Sequence, residues 1–319
     1  MNWFLLTLSS IILWGITDIF LKKSLHHSDS LSQFKTFIWI GLVMAPAGCV
    51  AAICSDTLLE SIRMLADELY LVPLCALYVL AIFFGLLGAK HLDASVVSPL
   101  ENIDGAIAAI ILYLFFLFTN NQHITKSVSV MDMFGAVSIT IGIVLLGIQE
   151  QKLSKKEINV EENKRKHRLG ALALLFPIAY NFVDALSIVA MGVTVSGETE
   201  ASIPDIDFFF FECLAFTLIA IIVWLYMLIA KKNVYNPFRK TELPRIGAAS
   251  CETLGTMAFT FAVGINPILT APIASSYCFV TILLARHFLK ERLTKKQYIS
   301  LVLVLIGIVL LGISEIFKA

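Results

Sequence analysis

The sequence predicts an all-α integral membrane protein of ten transmembrane helices arranged as two inverted five-helix repeats, and three observations carry that prediction. Of the 319 residues, 58% are hydrophobic and only 15% charged, against a soluble norm of about 45–50% and 25%. The mean hydropathy is +0.84, more apolar than a water-facing surface allows. Ten apolar runs each reach the roughly 20 residues needed to cross a hydrocarbon core, and one eight-residue run occurs in both halves of the chain. A soluble enzyme, a secreted module and a disordered chain are excluded.

The first run, residues 2–22, lacks a basic leading segment and a small-residue cleavage site, so it reads as a retained helix rather than a signal peptide. Residues 34–54, 69–89, 95–118 and 131–149 complete a first repeat over 1–150. Residues 151–168 (QKLSKKEINVEENKRKHR) form a charged linker. A second repeat over 169–319 holds residues 169–192, 208–230, 246–264, 268–289 and 298–316. Continuous runs of this length argue against a β-barrel, whose strands alternate over about ten residues.

Charge gives the orientation. The 24 Lys and Arg balance 24 Asp and Glu, so neither nucleic acid nor an acidic partner is expected. The odd-numbered connections hold 21 of the bases, while the even-numbered ones and both termini hold only Arg63, Lys126 and Lys318. The positive-inside rule then places the odd connections in the cytoplasm and both termini outside, in a cell (inner) membrane. Six cysteines in apolar stretches, with no CxxC or CxxxH spacing, read as small buried hydrophobes.

The repeat is read from three matches in the same order. Residues 141–148 and 306–313 both read IGIVLLGI, followed by Glu150 and Glu315. Trp14 and Asp18 match Tyr180 and Asp184, an aromatic-x-x-x-Asp in each case. Pro99 matches Pro272. The offsets are 165, 166 and 173 residues, the differences being absorbed by connections. An odd number of spans per copy inverts the second copy, an arrangement that supplies the two related packings of alternating access.

With Trp14-Gly15 in the first span and the stretch 284–313 (LARHFLKERLTKKQYISLVLVLIGIVLLGI), the chain resembles the drug/metabolite transporter superfamily, in its ten-span EamA-like branch. The resemblance covers essentially the whole chain and implies a secondary transporter, without naming a substrate. The acid that this family carries after the fourth span, matching Glu291, is replaced here by Phe118-Thr119-Asn120-Asn121. Glu291 is accordingly read as a turn or cap residue.

Six acids fall within the spans: Asp18, Glu101, Asp104, Asp184, Glu212 and Glu252. A central charge costs about 2.5–3.5 kcal/mol to insert, so six facing lipid would cost roughly 15–20 kcal/mol, as much as a whole fold is worth. Most should face the interior, carry a proton or lie near an interface. Asp104 and Glu101 share a helix face, and two neighbouring carboxylates repel in a low dielectric, so one should hold a proton. Asp184, Tyr180 and Asn181 form another inward face. Asp18 lies within a turn of the cytoplasmic interface, where a solvated position is the expectation. Trp14 stands one turn deeper, placed to stack on a cation or aromatic solute. Glu252, Ser275 and Tyr277 complete the candidate substrate-binding or proton-coupling set, and Pro99 and Pro272 are candidate hinges. His26, His27, His91, His123, His167 and His287 lie in loops or span ends, and none is placed as a metal ligand.

These readings lead to a secondary active transporter moving a small metabolite, amino acid or drug-like solute by alternating access, coupled to protons through Asp104, Glu101 or Asp184. Acid-rich, base-free spans favour a cationic, zwitterionic or neutral solute over a phosphorylated one. No catalytic residue, metal or cofactor is expected, and the partners are the solute, protons and the bilayer, with a monomer or homodimer as the assembly. A non-transporting receptor or assembly subunit is the alternative. An intramembrane enzyme using paired carboxylates is disfavoured by the absence of Gly-x-Gly-Asp, HExxH and Walker-type motifs.

Overall fold

The structure is a computed structural model that describes residues 2–24, 31–91, 101–119, 121, 125, 128–154, 175–197, 202–232, 234–237, 239, 242–289 and 294–318. Pro99, Glu291, His26, His27, His123 and His167 lie outside the described residues, as does most of the 151–168 linker. The described residues form helices α1 (Trp3–Ser24), α2 (Ser32–Cys54), α3 (Leu58–Asp67), α4 (Leu71–His91), α5 (Asp104–Phe118), α6 (Val130–Ser154), α7 (Leu175–Val195), α8 (Asp205–Ile229), α9 (Leu243–Ile265), α10 (Pro267–Ala274), α11 (Tyr277–Leu289) and α12 (Lys295–Lys318). Nine stretches are long and apolar enough to cross a membrane among these residues, α10 and α11 together counting as one up to Leu284. The chain is thus an all-helical, multi-pass membrane protein. The helix α5 is apolar but shorter, at 15 residues.

The elements follow from local chemistry. Pro244 sits in the first turn of α9 and Pro267 in that of α10, where a missing N–H costs nothing. The Asn266 side chain caps α10 by accepting from the Leu269 N–H at 3.1 Å. Pro272, inside α10, has no N–H to offer Ile268, and four residues later the α-helical ladder gives way: Ser276 N–H bonds the Ile273 carbonyl at 2.9 Å instead. The expected continuous span 268–289 is therefore two helices joined by a turn at Ser275 and Ser276. A second turn, at Asn102 and Ile103, precedes α5.

The amphipathic helix α3 was not anticipated. It is too short and too charged to span, and it leaves Leu59 and Ile62 exposed beside Glu60 and Arg63. Its Ser61 hydroxyl donates to Asp207 at the start of α8. On another connection, Arg245 at the start of α9 is buried and donates to Glu242 Oε2 at 2.5 Å, to the Ser24 carbonyl at 2.9 Å and to Ser32 Oγ at 2.9 Å. Tyr235 donates to the same Glu242 oxygen at 2.7 Å. Burial first, and the Glu242 carboxyl second, push this phenol well above its ordinary range, so it remains a donor at physiological pH. The ends of α1, α2 and α9 are tied together there.

Helices pack in recurrent pairs: α1 with α9, α4 with α7, α2 with α8, α6 with α12, and α5 with α7 and α10. Close approach depends on glycine. A Cβ on Gly255 would stand 2.8 Å from the Trp14 ring, and one on Gly85 would stand 3.2 Å from the Tyr180 ring. Along α6 and α12, Gly135 meets Leu311, Ile139 meets Gly307 and Gly142 meets Val304, an antiparallel seam. None of the six cysteines is in a disulfide; Cys75, Cys213 and Cys278 are buried as expected, but Cys49 and Cys54 are exposed on α2.

Candidate functional site

A small cavity of about 10 Å³, room for about one water, is lined by Trp14, Tyr78, Asp184, Ser187, Ile188, Met191, Glu212, Thr256 and Phe259. Five helices contribute: α1, α4, α7, α8 and α9. No lysine or arginine is among these lining residues. Trp14 packs against Phe259 with ring centroids 5.2 Å apart and against Tyr277 at 5.9 Å.

Four polar atoms that line this cavity are buried without a hydrogen-bond partner among the described residues: Trp14 Nε1, Asp184 Oδ1, Glu212 Oε2 and Thr256 Oγ1. Buried polar groups are nearly always satisfied, and an unmade hydrogen bond of this kind costs about 1–3 kcal/mol. Together they offer acceptors on the two carboxyls and a donor on the indole N–H, which a water or a ligand group would satisfy.

The expected acids converge on this region. Asp104 and Asp184 are buried, at 7% and 5% exposure, and share a side-chain hydrogen bond. Two carboxyls can do so only with a proton on one of them. Tyr180 bonds Asp184, and Ser275 donates to Asp104 Oδ1 at 3.1 Å. Tyr78 donates to Glu252 Oε1 at 2.5 Å. Glu101 interacts with the charges of Asp18 and Asp104, Glu252 with that of Asp18, and Glu212 with that of Glu252. The six carboxyls thus form one electrostatic network. The only base acting on its members is Lys22, on Asp18, among the interactions the described residues show.

Other expectations come out differently. Asp18 is half-buried and accepts from Thr281 Oγ1 on α11 at 2.8 Å, so it is held by a helix rather than by solvent. Asn181 is buried and donates to the Pro177 carbonyl in its own helix at 2.9 Å, away from the cavity lining. Pro272 and Tyr277 lie on either side of the turn at 275–276, and Pro99 lies outside the described residues. His287 is exposed, and no group of three or more His, Cys, Asp or Glu suited to a metal occurs among the described residues.

No protein-family model matches the chain. The uncharacterized protein MJ1333.1 of Methanocaldococcus jannaschii is 31% identical over 106 residues, which are 33% of this chain and 77% of that protein. The chain belongs to the family of that protein. A solved crystal structure of a protein matches the fold at a TM-score of 0.67 and 13% identity, covering 98% of this chain and 96% of its own. The likeness extends over the whole bundle and speaks for the fold alone.

Tyr78, Ser187, Ile188, Met191, Thr256 and Phe259 line the cavity without having been singled out in the sequence. Single tyrosines, threonines and aromatic residues are ordinary in apolar helices, and only packing shows which of them face inward. Glu212 is the clearer miss. With α8 beginning at Asp205 rather than residue 208, Glu212 lies two turns inside the helix and is 1% exposed.

Proposed function

We propose that the chain is a secondary active transporter of the drug/metabolite transporter kind. On this reading it has ten spans in two inverted five-helix repeats, and it moves a small amine-bearing solute, cationic or zwitterionic, in exchange for protons. The observation that carries the reading is the central cavity with its unpartnered Asp184, Glu212, Trp14 and Thr256 atoms and its base-free lining. An ammonium group supplies the donors that the carboxyls lack, and its charge is stabilised by the Trp14 and Phe259 faces. A phosphorylated solute would meet only acids.

Several contacts support the repeat. The α6–α12 seam pairs residues whose positions exchange under the 165-residue offset, since Ile139–Gly307 and Gly142–Val304 bracket its centre. Trp14 on Gly255 and Tyr180 on Gly85 are related contacts, with offsets of 166 and 170 residues. The turns at 102–103 and 275–276 are 173 apart, like Pro99 and Pro272. The partner pairs α1–α9 and α4–α7 exchange in the same way. The archaeal relative, about 138 residues long by its coverage, is under half the length of this chain.

Inverted halves allow the seam around a fixed midplane site to open first to one face and then to the other. The Asp104–Asp184 pair carries the proton. When an ammonium group enters beside Asp184, its charge favours the ionised pair and expels the shared proton, and the returning proton displaces the solute. Odd-numbered connections face the cytoplasm in this arrangement.

Thermal unfolding in detergent tests the solute class. Small alkylamines and amino acids should raise the melting temperature, sugar phosphates should not, and D184N should remove the amine effect. Stabilisation by phosphorylated solutes alone would contradict the assignment.

A further inference from the structure

The turns at Asn102–Ile103 and Ser275–Ser276 meet through a single hydroxyl. Ser275 Oγ accepts the Gly105 N–H at 3.1 Å and has one proton of its own to give. Two acceptors compete for that proton: Asp104 Oδ1 across the helix interface at 3.1 Å, and the Ala271 carbonyl one turn back in α10 at 3.2 Å. A hydrogen bond to an ionised carboxylate is roughly twice as strong as a neutral one. An ionised Asp104 therefore takes the proton, and a protonated Asp104 yields it to Ala271. The fit is close, because a Cβ on Gly105 would stand 2.1 Å from Ser275 Oγ and 2.4 Å from the Ala271 oxygen. Glycine lets one hydroxyl reach both helices.

We propose that Ser275 is a positioning residue that converts proton binding at Asp104 into a change of contact between α5 and α10, on the seam between the two halves. With Asp104 ionised, the hydroxyl spans the seam by donating to Asp104 while accepting from Gly105. With Asp104 protonated, it turns onto its own helix and the carboxyl link is lost. The titratable groups facing Asp104 are Asp184 and Tyr180 on α7, Tyr277 on α11 and Glu101 just before α5. From α10, Ser275 supplies the hydrogen bond. Because Asp104 and Asp184 share a proton, its position between them sets the Ser275 hydroxyl without a net change of charge at the pair. The inference rests on the reading of Asp104 as a proton-carrying carboxyl.

Cys278 is a native reporter of this seam, 2% exposed, with its sulfur 3.8 Å from the Ser275 carbonyl. The full-length protein, with its five other cysteines replaced by alanine, is reconstituted in liposomes and treated with N-ethylmaleimide across a range of pH. Rates are normalised to denatured protein at the same pH, which cancels the titration of the thiol. The parent should label faster in acid than in alkali. S275A should label in alkali at the rate the parent reaches only in acid, about tenfold above the parent's alkaline rate, as expected for losing a hydrogen bond to a charged group. S275T, which keeps the hydroxyl, should follow the parent, and S275G repeats the test so that the result does not hang on the folding of one variant. If D104N removes the pH dependence while S275A and S275G label like the parent, Asp104 keeps its role and that of Ser275 is overturned. If the parent shows no pH dependence, both fall.

Discussion

Trp14, Asp184, Glu212 and Thr256 line one cavity and each carries a buried polar atom with no partner among the described residues, and in the proposed transporter each has a separable share in ligand binding. The indole face is tested by substitution. W14F keeps an aromatic face and should retain most amine affinity, whereas W14L should lose about tenfold, in line with roughly 1–2 kcal/mol for a desolvated cation–π contact. Equal losses in isothermal titration with a stabilising amine would assign Trp14 to packing against Phe259 and Tyr277 instead. At this scale the acids were legible, because a carboxyl within an apolar run has to be explained energetically. Tyr78, which donates to Glu252, was not. A tyrosine costs little in a membrane helix, so its sequence position carries no alarm.

Among the elements, the break between α10 and α11 and the buried cluster around Arg245 do most to shape the bundle. Pro272 signalled a weakened turn, but its consequence, a change of ladder at Ser276, is accompanied by serine side chains that bond back into α10: Ser276 Oγ joins its own N–H on the Ile273 carbonyl, at 2.6 Å. Arg245 counted in the sequence as one more cytoplasmic base, yet it is 5% exposed, because Glu242, Ser24 and Ser32 converge on it from three elements. Removing one partner of a buried ion pair costs about 3–5 kcal/mol. R245A should show a loss of that size in unfolding free energy, and the double variant R245A/E242A should recover much of it. In α5, G105A forces backbone apart at Ala271 and should destabilise by about 1–3 kcal/mol, as overpacking does. Unchanged melting of G105A would mean that the α5–α10 seam has slack.

For the whole molecule, the all-helical membrane class was legible from composition and run length, which depend only on the apolar thickness to be crossed. The ninth run hid a break and the second connection hid α3, since hydropathy averages over a window and cannot see a two-residue turn or a short amphipathic helix. The proposed orientation rests on 21 bases against 3. A single cysteine placed within residues 151–168 of a cysteine-free variant should react with a membrane-impermeant maleimide only after cells are opened; labelling in intact cells would reverse the assignment. In the proposed cycle, solute and proton share the buried carboxyls. Its most direct measurement is proton flux in liposomes carrying an internal pH-sensitive dye, with an amine that stabilises the protein added outside. Wild-type protein should release protons in step with amine uptake, and D104N should bind the amine while the flux is abolished. Undiminished amine-driven flux in D104N would contradict the claim.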